Sequence, residues 1–139
     1  MGEFASLELV RLGDDEAHVV VQVKGQSAPS EDVLDARILV ASEFMRGELG
    51  TYLLPDDLDQ WVVALDELAA GRDVCWMDDG RAPEIEIRLC QSYGGAEVWV
   101  KDHPASLVWV RLLVRLEPGW IENQRSRLRH VRQMWLGQG

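Results

Sequence analysis

LGTYLLPDDLDQWVVALDEL, residues 49–68, turns a strand into a helix within a few positions, and its reading decides the fold. Glu48 to Leu54 is a short strand. Pro55 fits a first helical position, and Asp56 and Asp57 sit where the helix dipole favours negative charge. Leu58, Trp61, Val62, Leu65, Leu68 and Ala69 then keep helical spacing on one face, and Gly71 stands where a left-handed cap ends a helix. Leu54 has no side-chain oxygen for the free amides, so this helix is expected to rely on packing. A second stretch, LLVRLEPGWIENQRSRLRHV at residues 112–131, repeats the plan. It sets Leu49 on Leu112, Leu53 on Leu116, Pro55 on Pro118, Leu58 on Ile121, Leu65 on Leu128 and Leu68 on Val131. An internal duplication explains this; so do the shared demands of any strand running into a helix.

Working outward, Leu7 to Leu12 and His18 to Lys24 read as a hairpin around Gly13-Asp14-Asp15-Glu16, with Val19, Val21 and Val23 as an inward row. A polar connection from Gly25 to Asp32 is expected next, and then Ala36 to Ser42 pairs with Glu48 to Leu54 around Phe44 to Gly47. After the first helix the strands are Arg72 to Met77, Glu84 to Cys90, Ala96 to Lys101 and Leu107 to Leu116. Pro118 is expected to open the second helix, whose apolar face is Ile121, Leu128, Val131 and Trp135, with Gln124 completing the row. The predicted class is α+β: antiparallel sheets of about eight short strands and two amphipathic helices, in the order ββββα-ββββα. The chain reads as a single domain over residues 1–139, with halves at 5–71 and 72–136.

Two helices cannot cover both faces of so many strands, so one sheet face should meet solvent or a partner. If Val98 and Val100 share a face with Val108, Val110 and Leu112, paired residue numbers must sum to an even value, which needs an odd loop around Asp102-His103-Pro104. Trp99 and Trp109 then share the opposite face.

At 139 residues, 47% of them apolar and 27% charged, the chain can bury about 68% of the surface its unfolded form exposes. It needs no disulfide or metal to fold. Cys75 and Cys90 fall on adjacent strands at positions too far apart along the ladder to bridge, which suits a reducing compartment. There is neither an apolar stretch of membrane-spanning length nor a basic start followed by an apolar run, so the expected location is the cytoplasm, without membrane contact. Met1 to Ser6 matches the short N-myristoylation pattern, which often occurs by chance.

The net charge of −10 is uneven: eight Lys and Arg face 22 Asp and Glu in residues 1–104, and six face two in residues 105–139. Such a field repels phosphate backbones, so nucleic acid is not an expected partner. The local exception is the second helix, where Arg125, Arg127, Arg129 and Arg132 stand against Glu122. Pairing with the acidic body, within the chain or across a dimer, accounts for these arginines better than DNA does.

Trp61, Trp120 and Trp135 read as helix residues facing a sheet, whereas Trp99 and Trp109 alternate with charged neighbours and suit a partner surface. The run Asp78-Asp79-Gly80-Arg81 with Pro83-Glu84 gathers carboxylates and a guanidinium. A tight hairpin needs the same residue types, and the alternating acids and closing Glu of a calcium loop are absent. His18, His103 and His130 have no Cys or acid at ligand spacing; no serine elbow or phosphate-cradling glycine pattern occurs. No catalytic, cofactor or metal residue is assigned. Trp76, Asp78, Asp79, Arg81, Glu84, Trp99 and Trp109 are the candidate binding residues.

From Leu53 to Ile87 the run Leu-Pro-Asp-Asp-Leu-Asp-x-Trp, followed by Ala-Leu-Asp-x-Leu-Ala-Ala-Gly-Arg-Asp-Val-x-Trp-x-Asp-Asp-Gly-Arg-x-Pro-Glu-Ile-x-Ile, resembles a family of short actinobacterial proteins known only as a domain of unknown function. Gly119-Trp120-Ile121-Glu122 strengthens the likeness, and twelve arginines against two lysines suit a GC-rich genome. The resemblance implies no activity. The leading expectation is a non-catalytic cytoplasmic binding module, immunity- or chaperone-like, whose partner is another protein or a second copy. The alternative is a small enzyme or ligand-binding domain with a polar site around the Asp78 to Glu84 turn.

Overall fold

The structure, a computed structural model, describes residues 7–27, 30–80, 83–90, 92–103 and 105–136. The elements run β1 (Leu7–Gly13), β2 (His18–Ser27), β3 (Ser30–Ala41), β4 (Arg46–Leu53), α1 (Pro55–Ala69), β5 (Val74–Trp76), β6 (Glu84–Cys90), β7 (Gly95–Asp102), β8 (Val108–Arg115) and α2 (Trp120–Leu136). Strands β1 to β4 form one antiparallel sheet in sequential order, and β5 to β8 form another. The fold is α+β, and the two halves share one topology.

Helix α1 begins without help from the Leu54 side chain. The Asp57 carboxylate instead accepts the Leu54 N–H at 2.8 Å, so one half of a capping box forms although its usual first residue is missing. At the other end Gly71 takes φ 84°. Its N–H donates to Leu68 O, and the Arg72 N–H donates to Glu67 O; these are the paired bonds of a Schellman cap. That cap occupies Arg72, so the following strand starts at Val74 and not at the expected Arg72.

Two further boundaries depart from expectation. Pro118 does not open the second helix: Gly119 has φ 84°, outside the helical region, and its carbonyl accepts the Asn123 N–H. The expected polar connection around Gly25 to Asp32 is largely strand, with β2 and β3 paired out to Ser27 and Ser30. The last turn of α2 lies over this extension, where Gln26 Nε2 donates to Trp135 O at 2.7 Å. A hydrophilic strand is thus held by a helix more than a hundred residues away.

Each helix packs on the first strand of the other half, α1 on β5 and α2 on β1, and the two helices touch. Trp61 and Trp76 meet in the core with ring centroids 4.7 Å apart, and the Trp76 indole donates to Asp57 O at 2.8 Å. Rows from both sheets, including Val21, Ile38, Ile87 and Val98, join the same core as Leu65 and Leu128. The acidic and basic helices pair through Arg125 with Asp66 at 2.9 Å and Arg132 with Asp59 at 2.7 Å. Both aspartates are largely exposed, so these bridges orient more than they stabilise. Cys75 and Cys90 are both unbridged.

Candidate functional site

The register of the second sheet builds its outer face. Cys75 pairs with Glu86, Glu86 with Trp99 and Trp99 with Arg111. In the next row Glu84 pairs with Lys101 and Lys101 with Trp109. Val98 opposite Leu112 and Val100 opposite Val110 take the inner face, so the even pairing sum expected from the sequence holds. Period-two alternation therefore puts every polar residue of these rows on one side.

Lys101 is the hub of this face. Its Nζ lies 2.7 Å from Glu86 Oε1 and 3.7 Å from Glu84 Oε2, and 4.7 Å from the centroid of Trp109. Trp99 meets Trp109 edge-on at 6.3 Å, with the guanidinium carbons of Arg88 and Arg111 at 5.1 and 5.0 Å from its ring. With Lys101 Nζ 5.6 Å from the same ring, three cations surround one half-buried indole, each attracted to the negative ring face. Trp99 Nε1 is shielded from solvent without a hydrogen-bond partner.

Hydrogen bonding to Lys101, and then to Arg88, holds the Glu86 carboxyl below its ordinary 4.5 despite burial. The same contact raises Lys101. A carboxyl depressed in the fold stabilises fully above its unfolded value, and that contribution is lost as pH falls through the lower folded value. Glu86→Gln is therefore expected to cost about 1–3 kcal/mol at neutral pH and to flatten the decline in stability below pH 4.5. Urea denaturation at pH 7 and pH 3 checks this; equal slopes for both proteins would remove Glu86 from the account.

Cys75, Glu84 and Glu86 bring one ligand atom each within 4.8 Å of one another. The Lys101 ammonium already stands against both carboxylates, and burial, then the carboxylate charge, pushes the Cys75 thiol up. Thiolate, not thiol, ligates metals. The cluster's chemistry is that of an internally neutralised ion network.

Of the candidate residues, Trp99, Trp109 and Glu84 share this face. Trp76 does not: it is buried in the core, because Val74 and Trp76 point inward from β5 while Cys75 points out. Asp78 and Asp79 are exposed in the turn after β5, and Arg81 lies outside the described residues. A cleft of about 470 Å³ lies instead where the halves join, lined by Arg11, Asp14, Arg115, Trp120 and Arg127 among others. Asp14 itself is a turn residue, its carboxylate accepting the N–H groups of Glu16 and Ala17. Glu86, Arg88, Lys101 and Leu113 were not singled out from the sequence, although alternation along β6 and β7, once paired, places them beside the tryptophans.

The family model described as Family of unknown function (DUF5959) matches residues 7–136. No curated protein matches the chain. Among the described residues, no helix is long and apolar enough to cross a membrane.

Proposed function

The chain belongs to this family of unknown function, and from its architecture we propose a non-catalytic protein-binding module that uses the outer face of the second sheet. The role is that of a cytoplasmic protein which neutralises a toxin or escorts another protein. One observation carries the reading: Trp109 and Leu113 stand exposed beside Trp99, Arg88, Lys101 and Arg111 on a single face. Tryptophan and arginine dominate binding hot spots because they join large contact area to few rotatable bonds. Here the indoles are held by one another and by cations, so little ordering remains to be done on binding. The net charge of −10 steers the module toward partners of positive overall charge.

The immobilised chain is expected to retain a partner from its native lysate at low salt and to release it at high salt. Trp109→Ala should weaken that retention by at least about thirtyfold, the scale of a hot spot, while Tyr52→Ala on the first sheet leaves it unchanged. Equal capture by wild type and Trp109→Ala would sink the proposal.

A further inference from the structure

The two sheets have four edge strands, β1, β4, β5 and β8, and they are treated differently. Helix α2 lies along β1, where Gln124 bonds both the N–H and the C=O of Arg11 at 2.9 Å. Strand β5 is only three residues long and packs on α1. Strand β4 presents Arg46, Glu48 and two glycines, a composition that discourages pairing. Strand β8 runs for eight residues without a glycine, and its two charges, Arg111 and Arg115, are set among apolar residues. Leu107, just before the strand, and Val108, Trp109 and Leu113 on it are 67%, 56%, 54% and 43% exposed, a concentration of apolar surface that marks an interaction site.

Backbone parity says which groups are open. The Leu116 N–H donates to Gly94 O across the β7–β8 ladder, and the Val114 carbonyl lies 2.0 Å from where a Cβ on Gly95 would sit. Even-numbered residues of β8 therefore turn their backbone groups toward β7. Trp109, Arg111 and Leu113 turn theirs to the unpaired edge, and their side chains stand on the outer face. The β1–β2 turn approaches Arg115 across the junction cleft, and the Leu107 N–H is bonded to Asp102 O, so the open edge runs from Trp109 to Leu113.

We infer that this edge accepts an added antiparallel strand, an extended segment of a partner protein in which carboxylates alternate with apolar residues. Among the described residues Arg111 has no carboxylate partner, only the Trp99 ring, and it stands between apolar Trp109 and Leu113 on the outer face. A carboxylate beside Arg111 and apolar groups beside its two neighbours complete that row. A second copy fits worse, because β8 against β8 sets Arg111 and Arg115 of both chains on one face and joins two bodies of charge −10. The inference rests on the protein-binding reading and adds the form and chemistry of the segment bound.

The test is a display library of random ten-residue peptides selected on the intact chain. Enriched peptides are expected to alternate Asp or Glu with apolar residues and to slow amide exchange at Trp109, Arg111 and Leu113. They should bind Arg111→Glu more than about tenfold more weakly, through like-charge opposition. Leu113→Pro, which removes an outward N–H without touching the β7 ladder, should abolish binding; Arg111→Glu carries the test if that variant fails to fold. Basic or unpatterned peptides, or binding indifferent to Arg111→Glu, overturn the inference. So do peptides that cover the Trp109 ring without protecting these amides, although the broader reading then stands. Protection of the same amides in the chain alone, rising with its concentration, assigns the edge to a second copy and overturns it too.

Discussion

Trp76→Ala is expected to lower stability by about 3–5 kcal/mol, a large part of the 5–15 kcal/mol that holds a domain of this size folded. The side chain is 1% exposed and fills the contact between α1 and β5. Truncation opens a cavity against the Trp61 ring at 4.7 Å and removes the hydrogen bond to Asp57 O. The cavity is the larger effect, since the Asp57 carbonyl sits in the first turn of α1 and keeps a helical partner. Phenylalanine separates the two contributions. Trp76→Phe keeps most of the volume and loses a satisfied donor, whereas Trp61→Phe removes an indole N–H that has no acceptor. Trp61→Phe should therefore be the milder change. Denaturant midpoints of the three variants decide this, and a Trp61→Phe cost equal to or above that of Trp76→Phe would contradict the account.

Gln124→Ala is the second large effect, at about 2–5 kcal/mol. Gln124 is 1% exposed, and its amide accepts the Arg11 N–H and donates to the Arg11 C=O. Alanine leaves both backbone groups unpaired beneath α2, and each orphan costs more than a lost bond is worth. Gln124→Glu is not expected to rescue: one carboxylate oxygen still accepts the N–H, while the other faces a carbonyl with no proton to offer. Opening the edge of β1 should also shorten the exchange lifetime of the Arg11 amide. A Gln124→Ala protein with an unchanged midpoint and unchanged Arg11 protection would show that α2 holds this edge by other contacts.

Much of the outer face is legible in the sequence. Alternation in Glu84 to Leu89, with the requirement that Val98 and Leu112 share a side, is enough to set Trp99 and Trp109 together. That argument works because strand side chains repeat every two residues, so one correct pair places all the others. Trp76 shows where such reasoning stops. A three-residue strand is too short to display a period, and a tryptophan between Cys75 and Met77 reads equally well as core or surface. The acidic turn at Asp78 and Asp79 drew attention by composition, but its residues are those that a change of direction demands.

The sequence by itself determined the two strand-and-helix units, their order, the left-handed cap at Gly71 and the facing of the β7 and β8 rows. These depend on interactions within a hairpin or within one helical turn, where neighbours along the chain are neighbours in space. Only the tertiary structure decided that α1 crosses to β5 and α2 to β1. An amphipathic stripe specifies that a helix must bury one face, but carries no address for the surface that covers it. That long-range choice extends β2 and β3 beneath Trp135. It also turns Gln124 from a gap in an apolar row into the group that closes the edge of β1, and leaves β8 as the open apolar edge.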